Sequence, residues 1–189
     1  MEQFIDHILQ FGNLNKQQIA LVESKATTLE LREGDFYWEA GKTVNRIGFL
    51  TKGILRIYYF TQDGKEHTRY FIDENHLILD GPTPGGHYIP SEYLQAITTC
   101  EMVVFTQKDW KEISQIIVGW DGIVQKIVAK HHLEKLDRRS ELVAQDATTR
   151  YRSFLEKFPS VAHRVPLSFI ASYLGITQSS LSRIRKNSR

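Results

Sequence analysis

Cysteine is almost absent from this sequence. Cys100 is the only cysteine among its 189 residues. A single cysteine excludes an internal disulfide, a CxxC redox pair and any cysteine-rich zinc or iron–sulfur site. No apolar run is long enough to span a bilayer. The amino terminus, MEQFIDHILQF, carries acidic residues where a signal peptide would carry basic ones. These absences predict a cytoplasmic protein with no membrane partner, in which Cys100 is a small buried residue.

Motifs of catalysis and nucleotide binding are missing as well. The chain contains no G-x-S-x-G elbow, no P-loop and no dinucleotide-binding glycine pattern. His67, His76 and His87 are scattered, while His131 and His132 would point about 100° apart on a helix, so no metal-ligand spacing is present. The sequence therefore predicts no enzyme, no catalytic residue, no metal site and no cofactor.

Acidic residues nearly disappear from residue 150 onward. Residues 150–189 contain eight Lys and Arg against Glu156 alone, a net charge of +7, whereas residues 1–149 have a net charge of −5. A basic surface of this size can neutralise several phosphates and release their counterions, which favours nucleic-acid binding. The alternative is a solvated basic tail that binds nothing.

The first part of the chain changes from helical to strand-like patterning. Apolar residues from Phe4 have helical spacing, and Asn15 is placed to cap a second helix. From Thr27 onward, short β-rich runs alternate with turn signals, and Asp63-Gly64 is the strongest hairpin signal among them. The pattern predicts about eight strands in a sandwich or barrel.

An apolar stripe beyond Lys108 predicts a long helix. The stripe contains Trp120, Ile123, Val124, Ile127 and His131. Such a stripe is either the seam of a dimer or the surface that packs on the chain's own β-domain, and the pattern leaves both alternatives open. A shorter helix is predicted from Ala147 to Phe158, ending at Pro159.

The segment VPLSFIASYLGITQSSLSRIRKN predicts a helix-turn-helix. Ala171 is small enough for two helices to cross closely, Gly175 permits a left-handed turn, and Thr177 can cap the second helix. Docking of that helix through Leu181 and Ile184 would turn its polar face outward. The predicted DNA-binding residues are Thr177, Gln178, Ser179, Ser180, Ser182, Arg183, Arg185 and Lys186. Two helices that pack only for stability are the alternative.

The order of these features resembles the Crp/Fnr family of bacterial regulators over nearly the whole chain. The matching pieces, besides the helix-turn-helix, are Gly34-Asp35, Glu39-x-Gly41, Gly53-Ile54-Leu55-Arg56, Asp63-Gly64-Lys65-Glu66 and Arg150-Tyr151 with Phe154-Leu155. The resemblance implies an α+β protein with a double-stranded β-helix (jelly-roll) sensor at 1–115, a dimerisation helix at 116–145 and a helix-turn-helix domain at 146–189. It also implies a homodimer on a two-fold symmetric duplex DNA site, with RNA polymerase as a further candidate partner.

Two departures from the family pattern affect the expected ligand and DNA contacts. Members that bind cyclic nucleotide have a Phe-Gly-Glu-Leu stretch and an Arg beside a small residue, where this chain reads HLILD at 76–80 and Pro90-Ser91-Glu92. Since the phosphate-binding cation is missing, we expect no cyclic AMP binding. The chain ends at Arg189, soon after the second helix, so the family's wing hairpin is expected to be missing.

The loop DGPTPGGHY is predicted to frame a pocket for a different small-molecule effector, or else to be a plain surface loop. The candidate effector residues are Asp80, Tyr88, Ser91, Glu92 and Tyr93. The sequence thus predicts a dimeric DNA-binding regulator with a sensor domain. The alternative function is a metal- or ligand-binding β-barrel sensor that acts through a protein partner without binding DNA.

Overall fold

The structure is a computed structural model that describes residues 1–79, 89–139 and 145–187. Two helices, α1 (Glu2–Leu9) and α2 (Lys16–Lys25), precede the strands. The strands are β1 (Thr27–Leu31), β2 (Phe36–Trp38), β3 (Arg46–Lys52), β4 (Leu55–Phe60), β5 (Glu66–Ile72), β6 (His76–Ile78), β7 (Tyr93–Ala96) and β8 (Cys100–Thr106). The remaining helices are α3 (Gln107–Ile116), α4 (Trp120–Arg139), α5 (Ala147–Lys157), α6 (Pro159–Ala162), α7 (Leu167–Leu174) and α8 (Gln178–Asn187). In the described ranges, no helix combines the length and the apolar character that a membrane span requires.

Two local predictions, the cap of α2 and the Asp63-Gly64 turn, are confirmed by the structure. Asn15 accepts a bond from the Gln18 N–H at 2.9 Å, and the Gln18 side chain accepts one from the Asn15 N–H at 2.8 Å, so α2 begins with a capping box. Asp63-Gly64 lies in the tight connection between β4 and β5, where Gly64 has a φ of 76°. Both features depend only on residues that are neighbours in the sequence, so both could be predicted from it.

The strands form two four-stranded antiparallel sheets. Their orders are β1-β8-β3-β6 and β2-β7-β4-β5. Leu50 and Met102 from the first sheet pack in one core with Leu55 and Leu94 from the second, so the two sheets face each other. The predicted α+β class is confirmed, and the eight strands of the described residues agree with the number expected. Cys100 is fully buried in this core, and burial raises the pKa of its thiol.

The outer face of the first sheet is covered by α1, α3 and α4. Phe49 and Phe105 of the sheet contact Phe4 of α1, and Trp110 of α3 lies edge-on to Trp120 of α4. These residues belong to a second apolar core on that side of the molecule.

The apolar stripe of α4 packs against other parts of the same chain. Trp120 and Ile127 are fully buried, and Ile123 and Val124 are only 7% and 5% exposed, because this face packs on α1, α3 and the first sheet. The stripe is therefore the surface that packs on the chain's own β-domain. These four residues are buried inside the chain and are not a dimer seam. The exposed large apolar residues of α4 are instead Leu133 and Leu136.

The C-terminal helices pack on the second sheet at β5. Phe71 of β5 contacts Phe154 and Phe158 from the α5 region and Tyr173 of α7. Apolar packing thus runs from the sheet into the C-terminal helices. The predicted domain limits at 115 and 145 remain predictions.

Candidate nucleic-acid interface

The turn between α7 and α8 has the predicted local structure. Gly175 ends α7 with φ 66° and ψ 34°, a left-handed conformation, and the Ile176 N–H donates to the Ala171 carbonyl at 3.0 Å. Thr177 caps α8 by accepting a bond from the Ser180 N–H at 3.2 Å. We call α7, this turn and α8 (residues 167–187) the reader.

A small core fixes the two reader helices against each other. Ala171, Leu174 and Leu181 are each at most 2% exposed, and Ile184 is partly buried against the same cluster. Arg150 of α5 donates from Nη1 to the Leu174 carbonyl at 2.7 Å, which satisfies a carbonyl that the end of α7 leaves without a helical partner. The position of α8 therefore follows from its own apolar face.

The opposite face of α8 is open to solvent. Of the eight predicted DNA-binding residues, seven are exposed: Thr177, Gln178, Ser179, Ser182, Arg183, Arg185 and Lys186. Ser180 is only half-exposed, and its hydroxyl lies 2.8 Å from the Thr177 hydroxyl. The structure thus assembles one polar and basic face, and it places Ser180 in the cap of the helix rather than on that face.

The reader is docked on the strand β5 through α7. The Ser172 hydroxyl accepts a hydrogen bond from the Thr68 N–H at 2.9 Å and lies 3.2 Å from the Glu66 carbonyl, to which it can donate. Beside this contact, Ser160 donates to Asp73 at 2.5 Å, and Arg164 forms two bonds to Glu74 at 2.6 and 3.0 Å. Backbone, aromatic and ionic contacts therefore hold the C-terminal helices on the sheet.

Arg56 of β4 contacts α7 through Phe169, and in the sequence it was singled out only as part of the Gly53-Ile54-Leu55-Arg56 motif. Its side chain is 2% exposed and donates to Glu66 at 2.9 Å and to Gln95 at 3.0 Å. The guanidinium lies 3.9 Å from the ring centre of Phe169 in α7. Burial lowers the pKa of Arg56, and the hydrogen bond to Glu66 opposes that shift. The available signal was a single arginine within the apolar run ILRIYYF.

No protein-family model and no curated protein matches the sequence. Solved structures do match its fold. FixK2 from Bradyrhizobium japonicum gives a TM-score of 0.72 at 18% identity, over 86% of this chain and 83% of that chain. The c-di-GMP-responsive global regulator CLP from Xanthomonas campestris gives 0.70 at 14% identity, over 92% and 91%. A transcriptional regulator assigned to the Crp/Fnr family, from Eubacterium rectale, gives 0.70 at 17% identity, over 92% and 83%.

The chain has the fold of the Crp/Fnr transcriptional regulators. The resemblance seen in the sequence is confirmed at the level of the fold. These structural neighbours are regulators rather than enzymes.

In this Crp/Fnr fold, three of the five candidate effector residues fall in the described ranges. Ser91, Glu92 and Tyr93 line an open cleft of about 710 Å³, whereas Asp80 and Tyr88 lie outside the described residues. Glu92 forms an ion pair with Arg69, and the Tyr93 ring stacks on Tyr58 with the ring centres 5.0 Å apart. Tyr173 of the reader also lines the cleft, so the cleft adjoins both the second sheet and α7.

A second, more apolar cavity of about 290 Å³ lies between the sheets and α4. His76 and His131 line it, and their ring centres are 4.5 Å apart. The His131 ring is also stacked near the His7 ring, at 6.0 Å. His131 was predicted to lie on a dimer seam, but in the structure it is half-buried and faces other histidines of its own chain.

Two of these histidines, His7 and His131, have lowered pKa values. Burial, with a further contribution from Lys130, lowers the pKa of His7 to about 4. Burial and the neighbouring His76 lower the pKa of His131 to about 3. Glu134 lies in the same group, and its carboxylate is 3.5 Å from Nε2 of His76. The fold therefore brings these histidines and Glu134 together, although their spacing in the sequence indicated no common site.

Proposed function

We propose that this chain is a DNA-binding transcription regulator whose helix α8 enters the major groove. The observation that carries the proposal is the docked position of α8. Leu181 is fully buried, and the polar residues of the first turn, Gln178 and Ser179, are exposed. In helix-turn-helix proteins the N-terminal residues of the second helix contact base edges.

The exposed residues of α8 have distinct roles in this proposal. Gln178 suits adenine, and Arg183 can bind the O6 and N7 atoms of guanine. Ser179 and Ser182 reach base or phosphate, and Arg185 and Lys186 contact phosphates. The excess of positive charge from residue 150 onward attracts the DNA phosphates independently of base sequence.

We propose further that the regulator is a homodimer whose seam lies on the exposed side of α4. Gly122, Ala129, Leu133 and Leu136 are exposed, and their spacing places them within an arc of about 60° on the helix. Small residues at two of these positions allow close approach of a second helix. A two-fold dimer would bind half-sites about 34 Å apart.

We place the effector in the cleft that adjoins the second sheet and the reader. A ligand there would contact Tyr93 on the sheet and Tyr173 on α7 at once, so its binding energy could favour one position of the reader over another. The aromatic walls favour a planar ligand. A regulator of this kind would act in the cytoplasm, with RNA polymerase as a candidate partner.

Selection from randomised duplex DNA, followed by sequencing, tests the proposal. We expect the protein to enrich a two-fold symmetric site. Gln178→Ala and Arg183→Ala should each lower affinity for that site by about 1–3 kcal/mol and relax specificity at one base position.

Matched controls separate base reading from general charge. Arg152 and Gln17 are exposed on α5 and α2, away from the face of α8. Arg152→Ala removes one positive charge and Gln17→Ala removes one amide, and both variants should retain the sequence preference. Absence of any enriched site across a range of salt concentrations would contradict DNA binding and leave a sensor that acts through a protein partner.

A further inference from the structure

Three potential metal ligands converge at the junction between β6 and α4. They are His76, His131 and Glu134, and one ligand atom from each lies within 4.8 Å of the other two. His131 and Glu134 are three residues apart on α4, so both project from the same side of the helix. All three residues are half-buried. The site is thus partly shielded from solvent and built on two regular elements.

Hydrogen bonding fixes the orientation of His76. Its Nδ1 lies 3.0 Å from the Asp73 carbonyl and 3.2 Å from the Glu74 carbonyl. A carbonyl oxygen only accepts, so Nδ1 carries a proton and donates it. Nε2 faces the Glu134 carboxylate at 3.5 Å, and it is the ring nitrogen left to bind a metal ion. A backbone carbonyl bonded to the far ring nitrogen is typical of metal-binding histidines.

His7 of α1 lies beside this group. Its side chain is only 5% exposed, yet among the described residues Nε2 has no hydrogen-bond partner. A buried polar atom without a partner is uncommon and calls for an explanation. The His7 ring is stacked near the His131 ring, with their centres 6.0 Å apart, so His7 lies beside the three residues whose ligand atoms converge.

We propose that His76, His131 and Glu134, with His7 as the fourth ligand, bind one divalent transition-metal ion, with Zn²⁺ as the best fit. Imidazole nitrogen and carboxylate oxygen are ordinary zinc ligands. Tetrahedral zinc with bonds near 2.0–2.1 Å needs ligand atoms roughly 3.3 Å apart. The ligand atoms of His76, His131 and Glu134 are within 4.8 Å of one another, so these side chains would close around the ion. His7 would move toward it from its place beside His131.

The site would join three parts of the sensor. His7 belongs to α1, His76 to β6, and the remaining two ligands to α4. A bound ion would fix the register of α4 against the sheet and the N-terminal helix. This inference goes beyond the proposed function, and it stands or falls independently of DNA binding.

Metal titration of the full chain, purified without a histidine tag and stripped with a chelator, tests the site. We expect one Co²⁺ per chain with the visible absorption of a four-coordinate ion, and displacement of that ion by Zn²⁺. Glu134→Gln and His76→Gln should each weaken metal affinity at least about 100-fold, since even second-sphere changes cost 10–100-fold. His7→Gln should weaken it and alter the Co²⁺ spectrum.

His132→Gln is the matched control, because His132 is the exposed neighbour of His131 on the same helix. It should bind the metal as the unaltered chain does. Circular dichroism of the metal-free variants would establish that each is folded, and Glu134→Gln, which keeps the shape of the side chain, is the variant best suited to that comparison. Absence of stoichiometric binding, or binding that persists in both His76→Gln and Glu134→Gln, would overturn the proposal whether or not DNA is bound.

Discussion

Glu74 joins the sheet to the C-terminal helices through a single carboxylate. It accepts hydrogen bonds from the Gly53 N–H at 2.8 Å and from two nitrogens of Arg164 at 2.6 and 3.0 Å. Burial would raise the pKa of this carboxyl, but the hydrogen bonds from Arg164 and the backbone outweigh it, so the pKa lies below its ordinary 4.5. The ionised form is therefore the one that the folded chain stabilises.

The lowered pKa of Glu74 predicts a loss of stability in acid. Its contribution is fully present above pH 4.5, the ordinary pKa, and is lost as the pH falls from there through the lower pKa of the folded chain. Since the pair is partly exposed, we expect the loss to be about 1 kcal/mol. Urea unfolding of the wild type and Glu74→Gln as a function of pH measures it.

Arg164→Gln provides the reciprocal control for Glu74. With its partner removed, the folded-state pKa of Glu74 should rise, and the extra acid sensitivity of the wild type should shrink. If Glu74→Gln keeps the full acid sensitivity of the wild type, the carboxylate is not its source.

Among the elements, the reader turn depends on one residue in the left-handed conformation. Gly175 has a φ of 66°, while a Cβ placed there would meet nothing closer than Arg150 at 3.8 Å. The cost of a side chain is therefore backbone strain and not a clash. Gly175→Ala should destabilise the protein by about 1–2 kcal/mol, and Gly175→Asn should cost less because Asn adopts this conformation more readily. Thermal unfolding of both variants would compare them, and equal costs would contradict this reading.

Features that depend on local signals could be predicted from the sequence. The capping residue Asn15, the Asp63-Gly64 turn and the Gly175 turn were all predicted, because each depends on the conformational preference of one or two residues. The face of α4 was harder to assign. Periodicity shows that a stripe is apolar, but a partner chain and the chain's own sheet would cover the same residues.

Contacts between distant residues could not be predicted from spacing. His76 and His131 meet only because β6 packs beside α4, and Arg56 meets Phe169 only because α7 packs on β5 beside it. Each histidine alone is an ordinary polar residue. The exposed face of α8 was predicted, in contrast, because the inner face of a helix determines its outer face.

At the scale of the whole molecule, the dimer proposal rests on the exposed side of α4. Ala129 lies in the middle of that arc and is exposed in the single chain. Ala129→Arg would place a long charged side chain at the closest helix approach, so we expect the dimer dissociation constant to rise at least about tenfold, about 1.4 kcal/mol. Sedimentation equilibrium measures this change.

The same substitution at Ala20, which is exposed on α2, is the control for Ala129→Arg. Ala20→Arg adds the same charge and bulk outside the proposed seam, and it should leave dimerisation unchanged. Equal effects of the two substitutions, or none at Ala129, would place the seam elsewhere.

The aromatic contact between Phe71 and the C-terminal helices also has a thermal consequence. Any displacement of these helices from the sheet would expose Phe71, Phe154, Phe158 and Tyr173, all of which are now at most 7% exposed. Exposure of apolar surface raises the heat capacity, and the hydrophobic attraction that closes such a contact weakens on cooling. The balance between docked and displaced arrangements would therefore change with temperature in the absence of any ligand, and cold would favour the freer one.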